Sequence, residues 1–211
     1  MQKLSCPGCG AELTLQSSAT VYLVCPYCKN TVIHDRDWKS FGLMADLPLE
    51  VTPLQIGSQG LYADEGFELI GRQRIRWENG YWTEWAALFP KGRIGFLSEA
   101  QGHWMMSFPV PLAKPIADAK LLWAGKTFSI DKTGTFRVVD AKRARCIGIE
   151  GELPFTPKLN EEILYLDSTD DNNRFMGVEI IEATGEHRAF LGKYVDFKDF
   201  KFKNLRKLDG W

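Results

Sequence analysis

Histidine is scarce in this 211-residue chain: there are only three, His34, His103 and His187, and none sits in a recognisable catalytic motif. A serine or cysteine nucleophile needs a base beside it, so the sequence offers no nucleophile–histidine pair. No apolar run approaches the roughly 18 residues of a membrane-spanning helix. The start, Met1-Gln2-Lys3-Leu4-Ser5-Cys6, has no apolar segment behind it that would read as a secretory signal. Charge of either sign is not in excess. The 26 basic and 27 acidic residues leave a net charge of −1, which excludes polyanion binding by overall charge. A glycine-rich phosphate loop, a cofactor fingerprint and an open metal motif are also missing. No residue is assigned a catalytic role; whether the protein is an enzyme stays open, with a non-catalytic role favoured.

Cysteine is limited to five residues, but four of them are placed tellingly. Cys6-Pro7-Gly8-Cys9 and Cys25-Pro26-Tyr27-Cys28 are two Cys-x-x-Cys pairs fifteen residues apart, the spacing of a zinc site. Proline and glycine suit the tight turn that aims both sulfurs of a pair at one point. Four thiolates make a closed tetrahedral set with no open position for water, so the expected role is structural, with one zinc ion. Glu12–Leu15 and Val21–Val24 read as strands around the polar turn 16–19, which completes a zinc-ribbon pattern. A segment of about 40 residues buries too little core to fold alone, and zinc supplies what packing cannot. His34 lies in the charged run 34–37 and reads as exposed. The remaining Cys146, in Arg145-Cys146-Ile147-Gly148-Ile149, reads as a small buried apolar residue. Thiols of this kind fit a reducing compartment, and the expected location is cytoplasmic.

The rest of the chain reads as mostly β. The expected organisation is a zinc ribbon over 1–37, a linker over 38–53 with one helical turn and then extended chain around its prolines, a first β module over 54–112, and a second over 113–211 with an insertion at about 140–175. In the first module, 67–70, 73–77, 81–89, 93–97 and 103–108 are strand-like, with turns at Asn79-Gly80 and Gln101-Gly102. Tyr81–Phe89 is too apolar for a strand with one face in water. The modules look like diverged copies: Leu54-x-x-Gly57 matches Leu122-x-x-Gly125, and 66–70 matches 135–139 with Gly134 just before. Further on, Glu84-Trp85 aligns with Glu179-Ile180, and 92–97 aligns with 185–191. A duplication predicts tandem small barrel-like or antiparallel-sheet modules of the same topology.

Residues 54–108, with Tyr81-Trp82-Thr83-Glu84-Trp85 and Leu97-Ser98-Glu99-Ala100-Gln101-Gly102-His103-Trp104, resemble the bacterial domain-of-unknown-function 4178 family. Gly151-Glu152-Leu153-Pro154 and Phe190-Leu191-Gly192-Lys193 are similar to the same family. The resemblance carries no catalytic residue. Through the neighbouring genes of its members, it implies a link to membrane-stress or polyamine-associated systems.

Three surfaces are candidates for function. Trp82, Trp85 and Trp104 are aromatic anchors suited to a protein interface. Arg72, Arg74 and Arg76 share one strand face and, with Lys142, Arg143 and Arg145, suggest a basic surface. The C-terminal stretch interleaves Lys198, Lys201 and Lys203 with Phe197, Phe200 and Phe202. Basic residues among aromatics suit single-stranded nucleic acid or an anionic membrane surface, so peripheral membrane association stays open. Glu84 with Glu99, and the run Asp167–Asn173, offer carboxylates without a spacing that fixes geometry. The first expectation is a non-catalytic adaptor that binds protein partners. Nucleic-acid binding is the second and less favoured. The third is an enzyme or accessory subunit acting on a polyamine or peptide, which requires a concave pocket where carboxylates and tryptophans converge.

Overall fold

The computed structural model describes residues 2–44, 47 and 52–208. Among them there is no α-helix, only short 3-10 turns between strands. The N-terminal segment holds β1 (Lys3–Ser5) paired with β2 (Glu12–Thr14), then the antiparallel run β3 (Tyr22–Val24), β4 (Asn30–Asp35) and β5 (Asp37–Leu43). Residues 38–43, expected as a linker with a helical turn, are instead β5. Pairing with β4 supplies the backbone partners that a free linker would seek in water. Most of the extended chain expected over 47–53 lies outside the described residues.

The body is one closed barrel. Its first half is β6 (Gln59–Tyr62), β7 (Glu65–Trp77), β8 (Gly80–Leu88), β9 (Ile94–Ala100) and β10 (His103–Val110). Its second is β11 (Thr127–Ile130), β12 (Gly134–Leu153), β13 (Glu162–Thr169), β14 (Phe175–Ile181) and β15 (Glu186–Tyr194). Each half is a meander of consecutive antiparallel hairpins. The β10–β15 and β7–β12 pairings join the halves, so eight strands close in the order β7-β8-β9-β10-β15-β14-β13-β12. The tandem β modules are thus the two halves of a single barrel, which leaves no open edge at either seam.

The halves share their topology and their details. Gly57 N–H donates to Leu69 O at 2.8 Å, and Gly125 N–H donates to Val138 O at 2.8 Å. Both glycines have positive φ, at 85° and 92°. A β-bulge follows in each half, between Leu69 and Gly71 and between Val138 and Asp140. The first two sequence matches therefore fall on equivalent positions. The later two are displaced by a strand: Glu84 lies on β8 and Glu179 on β14, whereas strand order pairs β8 with β13. One hairpin resembles the next closely enough that short blocks slip by a strand.

Period-two alternation explains why these strands read as apolar on both faces. The outward face of β7–β10 carries Leu69, Trp85, Ala87, Leu97 and Met106, buried under Leu54 and the C-terminal Phe200. The outward face of β12–β15 carries Val138, Leu164, Leu166, Met176 and Val178, buried under Phe128 of β11 and Ile116. Both outer faces are thus covered by satellite segments rather than water. The ribbon joins the same sheet: Leu23 pairs with Glu152 and Tyr22 with Leu153. Tyr22 and Val24 pack with Ile70, Ile75, Ala144 and Ile149.

Candidate functional site

Two places concentrate chemistry. The first is the cysteine cluster. In the two knuckles, Gly10 N–H donates to Cys6 O at 2.8 Å and Lys29 N–H donates to Cys25 O at 3.0 Å. The residue after each pair is left-handed, Gly10 at φ 76° and Lys29 at φ 58°. The Sγ atoms of Cys6, Cys9, Cys25 and Cys28 all lie within 4.8 Å of one another, with Cys6–Cys28 at 3.7 Å and Cys9–Cys25 at 3.9 Å. Tetrahedral Zn–S bonds of about 2.3 Å place sulfurs about 3.8 Å apart. The cluster is therefore compatible with one zinc. His34 is exposed and lies against Trp38, with ring centroids 4.9 Å apart, and is not among the four residues whose ligand atoms converge.

The second place is the barrel lumen, a cavity of about 920 Å³ bordered by side chains from all eight strands. Phe96, Phe155 and Phe190 form an aromatic wall, with centroids at 5.9 Å and 5.3 Å from Phe96. Trp82 meets Tyr165 edge-on at 5.0 Å. The inward register of β8 places Trp82 and Glu84 on the same face, and Trp82 Nε1 donates to Glu84 at 2.9 Å. Gln73 Nε2 donates to the other Glu84 oxygen at 2.7 Å. Glu84 borders the cavity yet lies deep in the molecule, and burial pushes its carboxyl above the ordinary range. Glu179 also borders the cavity. Burial, and then the Glu84 charge, push it up to about 8, while Arg188 pulls it back. Asp167 is pushed up to about 6 by burial, against the pull of Lys142.

One end of the lumen is bordered by Ala19 of the ribbon together with Pro154 and Phe155. Glu152 holds that ribbon turn in place. Its carboxylate accepts from Gln16 N–H at 2.9 Å and from the Thr20 hydroxyl at 2.5 Å.

A family model described as a domain of unknown function, DUF4178, matches residues 55–197. The chain belongs to the DUF4178 family. The DUF4178 match begins just before β6 and ends just after β15, so it coincides with the barrel and leaves the cysteine cluster outside. No curated protein and no solved structure matches the chain.

Within this DUF4178 protein the expected interaction residues are scattered. Trp85 is fully buried, and its Nε1 donates to Glu99 at 3.2 Å. Trp82 faces the lumen, and Trp104 packs on Phe197 with centroids 5.0 Å apart. Arg72 and Arg74 are buried, Arg72 bound to Glu150 at 2.7 Å and Arg74 over the Tyr81 ring at 3.8 Å; Arg76 is exposed. These six residues make no continuous surface, because alternation sends Trp82 inward and Trp85 outward beneath a covering segment. Phe200 and its neighbours are that cover rather than a nucleic-acid platform. Glu99 points away from Glu84, into the contact with Trp85, so this pair does not meet. Glu84 instead shares the lumen with Glu179, near enough for its charge to raise that carboxyl. Asp167 was hidden in a polar run that reads as a solvated turn; its only signal was position at the end of an alternating strand. Cys146 is buried, and burial pushes its thiol up to about 12.

Proposed function

We propose that this protein binds a small molecule inside its barrel, and that a zinc-stapled ribbon closes one end of the site. The observation that carries this reading is the 920 Å³ cavity, lined by aromatic walls and a few convergent polar groups. Ligand pockets usually span about 300–1,000 Å³ and have this mixed lining, and an eight-stranded barrel can enclose one small ligand. Of the functions considered from sequence, an enzyme or accessory subunit required this kind of pocket. Two carboxylates and a tryptophan converge in it, but among the described residues neither lining serine, Ser98 or Ser107, is hydrogen-bonded to a histidine, so binding is favoured over catalysis.

The adaptor reading draws less support, since Trp85 is buried and Trp82 faces inward. Nucleic-acid binding loses Arg72 and Arg74 to the interior. No helix among the described residues is long and apolar enough to cross a membrane. A reducing, cytoplasmic setting suits four zinc-bound thiolates and the free Cys146.

The test is saturable 1:1 binding of the neutral apolar dye Nile red to the zinc-loaded protein. Ser98 borders the lumen, and Ser98→Trp should fill it and abolish binding while the thermal transition is retained. Absence of dye binding, or undiminished binding by the tryptophan variant, contradicts the assignment.

A further inference from the structure

We infer that the lumen ligand is an organic cation, with an ammonium group seated between Glu84 and Glu179 and an apolar body against the aromatic wall. This deepens the reading of the barrel as a small-molecule binder and rests on it. β8 and β14 are separated by three strands on either path round the barrel, so the two carboxylates project from opposite walls into one cavity.

Glu179 carries the strongest observation. It is only 8 % exposed, it borders the cavity, and among the described residues it accepts no hydrogen bond. Its ion pair among the described residues is loose: Arg188 Nη1 is 3.6 Å away, and the same guanidinium gives Nε to Glu186 at 2.6 Å. Among the described residues Glu84 is held by two neutral donors, Gln73 and Trp82, which fix its oxygens in place without cancelling its charge. The rest of the lining does not make up the difference. Acidic groups at 84, 140, 167, 179 and 186 face two basic ones, Lys142 and Arg188, and Lys142 is already paired with Asp140. Two facing carboxylates in a low-dielectric cavity repel each other, and a cation or a proton between them relieves the repulsion.

The shape of the cavity decides which cation. A bare calcium or magnesium ion takes six or more oxygen ligands, more than two carboxylates on opposite walls supply, whereas each Glu84 oxygen keeps a lone pair for an ammonium N–H beside its present donor. A cavity of about 920 Å³ walled by Phe96, Phe155 and Phe190 far exceeds the volume that an ion fills. An alkylammonium uses both features, because its charge meets carboxylates and ring faces while its chain displaces water from apolar wall. An anionic ligand would find five acidic side chains there and is rejected by the same argument.

The experiment compares four eight-carbon probes on the full-length zinc-loaded protein at pH 8: octylamine, octyltrimethylammonium, octanol and octanoate. Binding is measured by calorimetry at concentrations below micelle formation. Octylamine should bind at least about tenfold more tightly than octanol, and octanoate should bind most weakly. Glu179→Gln should remove most of the amine's preference while octanol still binds, which also reports that the variant is folded. Glu84→Gln should do the same to the preference, but it sets an amide N–H against the Gln73 or Trp82 donor, so its fold is checked separately by thermal melting. If octanol or octanoate binds as tightly as octylamine, the cation assignment is wrong and the lumen reading survives. If no probe binds, both fail. Octyltrimethylammonium tests the seat itself: weaker binding than octylamine matches hydrogen bonding to the carboxylates, and equal binding matches a cation held by charge and ring faces; binding below octanol overturns the proposal.

Discussion

At the scale of single residues, Glu179 sets a pH dependence whose sign can be worked out. Its carboxyl sits near 8 in the folded protein and near 4.3 in an unfolded chain. Between those values the folded state holds a proton that the unfolded state has lost. Stability from this group is therefore highest at low pH and is lost as pH rises from about 4.5 to about 8. The groups facing it are Glu84 on β8, Arg188 and Glu186 on β15, Tyr165 on β13 and Cys146 on β12, and Asp167, raised to about 6, acts in the same direction. Glu179→Gln keeps the shape and removes the titration. Its melting temperature should exceed the parent's by several degrees at pH 8 and differ little from it near pH 5. A variant with the parent's pH slope would show that Glu179 is not its source. Glu152 makes a separate prediction. Glu152→Gln replaces one accepting oxygen with a donor, leaving Gln16 N–H or the Thr20 hydroxyl without its partner. The loss should be about 1–3 kcal/mol, and amide exchange at Gln16 and Ser17 should accelerate ahead of the barrel strands.

At the scale of elements, glycine permits the barrel to close. A Cβ on Gly192 would stand 2.1 Å from Met106 O at the β10–β15 seam, and one on Gly71 would stand 2.1 Å from Glu152 O at the β7–β12 seam. Backbone cannot retreat there without parting the ladder that closes the sheet. Gly192→Val should cost about 3 kcal/mol or prevent folding outright, whereas Gly66→Ala, with nothing within 4 Å of its Cβ, should shift the melting temperature little. Hairpins were the part of this architecture that local sequence announces. Gln101-Gly102 is a two-residue turn with both residues left-handed, at φ 49° and 81°, as its composition suggests. Asn79-Gly80 marks the right place, although the turn itself is Glu78-Asn79 with Gly80 already in β8. The strands read separately over 67–70 and 73–77 form one continuous β7 because the bulge near Ile70 bends the strand without ending it. β5 was missed because Trp38–Leu43 lacks a clean period of two; its strand state comes from pairing with β4.

At the scale of the molecule, the cysteine spacing was legible because a metal cluster is a local pattern with fixed chemistry. The lumen was not, because an inward direction exists only after eight strands have closed. The sequence aligns Glu84 with Glu179, a match displaced by one strand, and nothing local says that β8 and β14 lie on opposite walls. The same closure ties the ribbon to the site. β3 continues the sheet from β12, Tyr22 and Val24 share apolar contacts with Ile70 and Ile149, and Ala19 borders the cavity. Metal loss should then be felt in the barrel rather than confined to the first 44 residues. Stripping zinc with excess chelator leaves the ribbon without the binding free energy of a structural site, about 10–16 kcal/mol in small zinc peptides. The β-sheet signal of the barrel should persist, because its two outer cores and both seams lie outside the ribbon. Its melting temperature should fall, and Nile red bound in the lumen should exchange faster as the Ala19 end opens. Cys25→Ser should reproduce both effects without chelator and should retain less than one zinc per chain. A stripped protein with unchanged dye exchange and unchanged melting would separate the ribbon from the barrel and leave the metal centre with a role of its own.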